Sequence, residues 1–256
     1  VWHHLFGRGI VATVDNFGRL GSGPTHPELL DYLAASFREG GGSMKSLIRE
    51  MVLSRSYRLS SNCEKGQRAD PANKWFARQN HRRLTAEEIR DSILFLSDTL
   101  DREPGEATAS QFGEDLDKPF SFVKERKRTV YLPVARNNLA AELAVFDAAN
   151  PDLVSGKRAE TTVPTQALYL LNSDFMHEQA GILAGKALEE ASAAGEEVDW
   201  LYETLLGRRP NPVESSVALG FIAGLSGGAE SGGPLEAAVA HFTHVLLAST
   251  EYLYLD

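Results

Sequence analysis

Lys157 and Arg158 stand just ahead of Thr161-Thr162-Val163-Pro164-Thr165-Gln166, a segment with the residue types of a helix start. A helix start leaves backbone N–H groups free and carries the positive end of the helix dipole. With two hydroxyls and two cations beside it, such a place suits a carboxylate, sulfate or phosphate. Upstream, Lys118 to Asn137 holds six Lys/Arg and one Glu, a charge of +5 in a chain of net charge −9. Arg128, Arg136, Arg158, Thr162 and Gln166 are therefore the candidate anion ligands. The same residues have a second reading, in which Arg128 and Arg158 pair with carboxylates such as Asp147 and Glu160 and tie the loop to the core. Structural ion pairs and binding sites look alike at this level.

Other reactive residues are more isolated. His241 and His244 share one helical face, but no third ligand stands at metal-binding spacing, so no metal site is named. His3, His4, His26 and His81 have no partner that spacing identifies. Cys63 is the single cysteine, which excludes an internal disulfide, a CxxCH haem attachment and a cysteine-rich zinc site within these residues. Asp147 and Glu160 could form an acid/base pair only if the fold brought them together. No GxSxG elbow, GxGxxG turn or Walker loop is present. A catalytic residue is thus unknown, and a non-catalytic role is favoured over an enzymatic one.

The elements that must position these residues are mostly helices. Thr25-His26-Pro27-Glu28 reads as a capping box ahead of a helix burying Leu29, Leu30, Leu33, Ala34 and Phe37. Gly40-Gly41-Gly42 ends it, and Ser43 caps a second helix with Met44, Leu47, Ile48, Met51 and Val52 at helical spacing, so the two form a hairpin. Ser60–Ala72 reads as a polar loop, with a short helix at Trp75-Phe76. Thr85 to Glu88 is another capping box, before Ile89, Ile93, Leu96 and Leu100. Residues 101–123 lack periodicity. Thr129–Val134 has strand composition, with Pro133 placing it at an edge. Asn137 and Asn138 can cap a helix over Leu139, Leu143 and Phe146, and Thr162 the helix that follows. Beyond Ser173-Asp174 a long helix runs to about Ala191. Helices then follow at Trp200–Leu206, after Asn211-Pro212-Val213-Glu214, and over Leu235, Ala238, Val239, Phe242, Val245 and Leu246, with a Gly/Ser-rich loop over Ser226–Gly233.

The predicted fold is mainly α: a multi-helix domain at 1–195 with a minor short β element, and a small acidic helical subdomain at 196–256 packed on it. Residues 189–256 hold eleven Asp/Glu and two Arg, which argues against nucleic acid as a partner, since phosphate neutralisation needs Lys/Arg. No apolar run approaches the roughly 20 residues of a membrane span. The opening Val1, with Trp2, Leu5 and Phe6 already in helical pattern, suggests a piece of a longer protein.

VWHHLFGRGIV, DNFGRLG, PTHPELLDYLA, SRSYRLSS, RRLTAEEIRD, YLPVARN, FDAANPD, TTVPTQALYLLNS, LGRRP and STEYLYLD occur in this order. Together they resemble the planctomycete family of C-terminal domains of unknown function, found in large exported proteins with a planctomycetal-type cytochrome c domain. The resemblance implies an extracytoplasmic, multidomain parent. It also implies haem c elsewhere in the parent chain, no cofactor in this part, and no established catalytic residue. The expected partners are upstream domains of the same chain, and beyond them exported proteins or acidic glycans. Three roles follow as expectations: a docking module, a binder of sulfated or acidic glycans, or part of an enzyme completed by upstream domains.

Overall fold

The computed structural model describes residues 1–105, 121–134, 136, 139–227 and 235–255. It is mainly α-helical with one two-stranded antiparallel ladder, in which Arg82 faces Leu255 and Arg83 faces Tyr254. The chain divides into two compact units: residues 1–83, 155–157 and 254–256, and residues 84–154 and 158–253. The division thus falls at Arg83–Leu84 rather than near residue 196. Residues 196–253 share a unit with residues 158–195 because their helices are apolar on the faces that meet.

The first unit contains α1 (Trp2–Phe6), α2 (Pro27–Glu39), α3 (Met44–Leu53) and α4 (Glu64–Ala69), with β1 (Arg82–Arg83) and β2 (Tyr254–Leu255). Its core is aromatic. Trp2 stacks on Phe6 at 3.9 Å, and Phe76 and Tyr57 meet Phe6 edge-on at 5.6 and 5.5 Å. Ile10, Leu33 and Met51 complete it.

The hairpin of α2 and α3 forms as its sequence predicts, with Gly41 and Gly42 at φ +71° and +75° in the turn, where a side chain would be strained. Ser43 caps α3, and Glu50 accepts from Tyr32 and Ser36 across the pair. Burial is thinner than the apolar pattern suggests: of the predicted core residues of α2 only Leu33 is buried, and Leu30, Met44 and Ile48 are exposed.

Three local expectations change in this unit. The Thr25 hydroxyl donates to the Ile10 carbonyl and bonds His26 Nδ1, so it cannot cap α2, whose N-cap is His26. The Ser60–Ala72 loop contains α4, capped by the Cys63 thiol, which accepts from Gly66 N–H at 3.4 Å. Trp75 and Phe76 are not helical. Phe76 has φ +50° and drops its ring into the core, while Trp75 stays exposed.

The second unit contains α5 (Ala86–Leu96), α6 (Ala141–Val145), α7 (Pro164–Asn172), α8 (Asp174–Glu190), α9 (Glu196–Leu206), α10 (Pro212–Ser226), α11 (Leu235–Leu247) and α12 (Thr250–Leu253). The most extensive helix pairing is α8 against α11. Met176, Ala180, Leu183, Ala184 and Ala187 of α8 are all buried, and the three alanines let the neighbouring helix approach closely. Val239, Phe242, Leu246 and Leu247 of α11 are buried too, but Leu235 and Val245 are exposed, so the buried stripe of α11 is turned slightly from the one the apolar spacing predicts. The centre of this unit is therefore α8, and residues 124–176 supply one side of its core.

The capping boxes at Thr85/Glu88 and Asn211/Glu214 form as predicted. The strand expected over Thr129–Val134 does not. Thr129–Tyr131 is a 3-10 turn, because the Thr129 N–H and hydroxyl both donate to the Asp91 carboxylate, which draws the backbone out of an extended path. The β element lies at Arg82–Arg83 instead. Asn137 and Asn138 lie outside the described residues, as does most of the Gly/Ser-rich loop after Gly227.

Candidate functional site

The residues predicted to gather an anion are placed as follows. Arg158 donates to Glu87 Oε2 on α5 at 2.6 Å. Its partner is a carboxylate, but neither Asp147 nor Glu160. The salt bridge and hydrogen bond hold the Glu87 carboxyl below the usual range, against burial that pushes it up. Gln166 is buried in the first turn of α7, and its amide N–H groups go to Val145 O and Thr161 O at 3.0 Å each. Its oxygen accepts weakly from Val163 N–H, at 3.5 Å.

Val163, not Thr162, is the N-cap residue of α7. Valine has no side-chain acceptor, so Gln166 serves instead. Thr162 is exposed. The neighbouring Thr161 donates both its N–H and its hydroxyl to Asp147 at 2.8 Å. A carboxylate of the chain's own thus stands where the helix start meets its loop. Arg128 is exposed with its guanidinium over the Tyr131 ring at 5.9 Å, and Arg136 is exposed.

Two other cations of the positive segment, Arg126 and Lys127, are paired. Arg126 donates to Glu178 on α8 at 2.6 Å, and Lys127 to Asp101 at 2.7 Å. What organises this segment is Arg90, 6% exposed on the buried side of α5. One terminal nitrogen donates to Lys127 O and Thr129 Oγ1, at 2.9 and 3.1 Å. The other donates to Glu125 O at 2.6 Å and Phe122 O at 3.4 Å. Asp91 lies beside it at 3.4 Å. Burial pushes the Arg90 guanidinium below the ordinary arginine value, and Asp91 opposes that.

A small cavity adjoins Arg90. Ile89, Phe122, Leu143, Phe146, Phe175 and Met176 line it, with Glu142 and Tyr169. Its free volume is about 10 Å³, room for about one water. Arg90 Nε and Glu142 Oε2 are buried without a hydrogen-bond partner among the described residues, so a water there has polar groups to meet. Burial raises the Tyr169 hydroxyl's pKa above its ordinary value. Arg90 and Asp91 were readable only as part of RRLTAEEIRD. Nothing in their spacing announced a buried guanidinium, although an Arg one residue after the apolar Ile89 of an amphipathic helix was the signal available.

His244 is buried, as a histidine beside an apolar stripe should be. Its Nε2 meets Leu170 O, one of the terminal carbonyls of α7, at 2.7 Å. Its ring lies 4.3 Å from that of His177, an exposed residue on the first turn of α8, a pairing that spacing did not reveal. Among the described residues no three His, Cys, Asp or Glu side chains are placed to hold a metal. No described helix is long and apolar enough to cross a membrane.

The fold is thus that of a mainly α-helical domain built on internal ion pairs. Residues 1–222 match the family described as "PSD1: Protein of unknown function (DUF1553)", and the chain belongs to that family. No curated protein and no solved structure matches it.

Proposed function

We propose that the chain is a non-catalytic interaction module, which docks against other domains of a longer parent protein through α10. The carrying observation is the outward face of that helix. Val213 and Val217 are 71% and 67% exposed, and Phe221 and Leu225 each 40%. These four recur every fourth residue, so they run as one band along the helix. Gly220 and Gly224 lie between them, and a side chain at either would meet nothing within 4 Å. An apolar band flanked by two glycines lets another helix come close, since no Cβ holds its backbone away. Contiguous exposed apolar surface of this kind marks sites of association.

The resemblance of the ordered motifs to the planctomycete C-terminal domains supports the finer reading. The parent would then be an exported protein, the module would work outside the cytoplasm, and its neighbour would be a domain carrying haem c. Hydrogen exchange tests the docking surface. The amides of α10 are expected to exchange at least about tenfold more slowly in the complete parent than in the 256-residue chain. Val217→Glu in the parent should abolish that difference. Equal exchange in both contexts would remove α10 as the docking face.

A further inference from the structure

The rings of His177 and His244 stand 4.3 Å apart, tilted by 59°, where the first turn of α8 meets the last turn of α11. These two helices form the most extensive pairing of the unit, and packed helices hold ligand side chains more accurately than loops do. Neither histidine has a carboxylate partner among the described residues. Glu178, next to His177 in the chain, is taken by Arg126 at 2.6 Å.

The nitrogens can be accounted for one by one. Leu170 O can only accept, so His244 Nε2, 2.7 Å away, carries the proton, and Nδ1 of the neutral ring keeps its lone pair. That Nδ1 has no hydrogen-bond partner among the described residues, and neither has the ring of His177. A histidine whose second nitrogen donates to a main-chain carbonyl is held as metal-bound histidines are. The local field agrees: His244 lies in the last turn of α11, and Leu170 O belongs to the end of α7. Two negative helix ends thus meet there against the one positive start of α8.

The separation of the rings selects the metal. With a metal about 2.0 Å from one nitrogen of each ring, and each ring centre ~1.1 Å behind its nitrogen, two imidazoles at a right angle have centres about 4.4 Å apart, against about 5.1 Å at the tetrahedral angle. The observed 4.3 Å fits the right angle. Right-angled nitrogen and oxygen sites suit Cu(II) and Ni(II), and Cu(II) binds such ligands most tightly. We propose that His177 and His244 form a two-histidine site for Cu(II), with His244 bound through Nδ1 and water completing the shell. His177 is exposed, so its ring can turn to present a nitrogen without leaving a packed position. The site is separate from α10 and does not depend on the docking reading.

The test uses the full chain carrying His3→Gln and His4→Gln, which removes the other adjacent histidine pair, whose rings lie 5.4 Å apart. Cu(II) is titrated in a buffer that does not bind copper and followed by electron paramagnetic resonance. The expected result is saturation at one equivalent, with the signature of two equatorial nitrogens. Because His177 is exposed, His177→Gln should leave the Tm of the metal-free chain unchanged. It should remove one equatorial nitrogen and weaken binding at least about tenfold, the least that losing a residue which only orients a ligand costs. His241→Gln, at an exposed position on the same helix as His244, should change neither the spectrum nor the affinity. Four results each overturn the proposal: no saturable signal, a spectrum with a single nitrogen before His177 is changed, binding that His177→Gln leaves intact, or an equal loss from His241→Gln.

Discussion

Arg208 and Glu251 are joined by two hydrogen bonds, Nε to Oε1 at 2.6 Å and Nη2 to Oε2 at 2.8 Å. The same guanidinium forks onto Glu214 with two bonds of 2.8 Å and lies 5.3 Å from the Tyr202 ring. One side chain thus links the end of α9, the start of α10 and the first turn of α12. This gives a physical content to two of the ordered motifs, LGRRP and STEYLYLD, which are distant in sequence and bonded in space.

That arrangement sets an acid limb. Hydrogen bonding to Arg208 and to the Asn211 N–H lowers the Glu214 carboxyl to about 2. A depressed carboxylate stabilises the fold above its unfolded value, about 4.3, and the contribution disappears as pH falls toward the folded one. Stability measured by denaturant should therefore decline between those limits, and Glu214→Gln should flatten that part of the curve. At neutral pH, Arg208→Lys, which cannot fork onto two carboxylates, should lower Tm by about 2–4 °C, less at high salt.

Arg90 is a different case, because the guanidinium itself is buried and its partners are mainly main-chain carbonyls. Arg90→Ala takes the side-chain donor from Lys127 O, leaves Phe122 O with only the Glu125 N–H and Glu125 O with only Arg126 Nη1, and opens a void on α5. The expected cost is about 3–5 kcal/mol, read by urea unfolding. Arg90→Lys should recover only part of it, since three donors at one nitrogen cannot reach the same spread of acceptors. A loss below about 1 kcal/mol would mean that the segment is held some other way.

Tyr252 predicts an alkaline limb. It is buried, its hydroxyl meets that of Ser92 at 2.9 Å, and burial raises its pKa well above the ordinary value. A group whose folded value is raised contributes fully below the unfolded value, about 10, and loses that contribution as pH climbs toward the folded one. Tyr252→Phe should make the decline above pH ~10 shallower, at a cost near neutrality of about 1 kcal/mol for the lost hydrogen bond. Tyr169 is also raised by burial, so some slope should persist.

The glycines of α10 offer a stability test with the opposite sign. Gly220 and Gly224 are helical and have open space where a Cβ would stand. Each Gly→Ala change should stabilise the isolated chain by about 0.5–1 kcal/mol, whereas leucine at either place should hinder docking in the parent. Destabilisation by alanine would show that α10 is not helical there in solution.

Much of the architecture was legible, for identifiable reasons. Helices with a sequence-local cap, such as α3, α5 and α10, stand where their residues put them. Elements decided by distant partners were not legible. Thr129 has a strand former's branched side chain, but Asp91 bends its backbone into a turn. Thr25 has a capping hydroxyl, but Ile10 O takes it. Cys63 offered no capping signal of the usual kind, yet its thiol starts α4.

The anion-site residues show the same division. The positive charge of the 118–137 segment was plain in the composition. Which carboxylate each cation would meet depended on helices 50 or more residues away, as Arg126 with Glu178 and Arg158 with Glu87 demonstrate. A cleft of the first unit, lined by Leu5, Tyr57, Leu59, Asn80 and Leu255 among others, draws on residues from both ends of the chain, so no local window could reveal it.

Arg90 grips its loop mainly through main-chain oxygens, and those are the same whatever side chains the loop carries. Arg90 itself thus reads the spacing of residues 122–127 rather than their side chains, although Phe122, Arg126 and Lys127 are held by contacts of their own. Evolution, or a protein engineer, could exchange the exposed Lys124 and Glu125 without loosening Arg90's hold, while a one-residue insertion or deletion would pull the carbonyls out of reach.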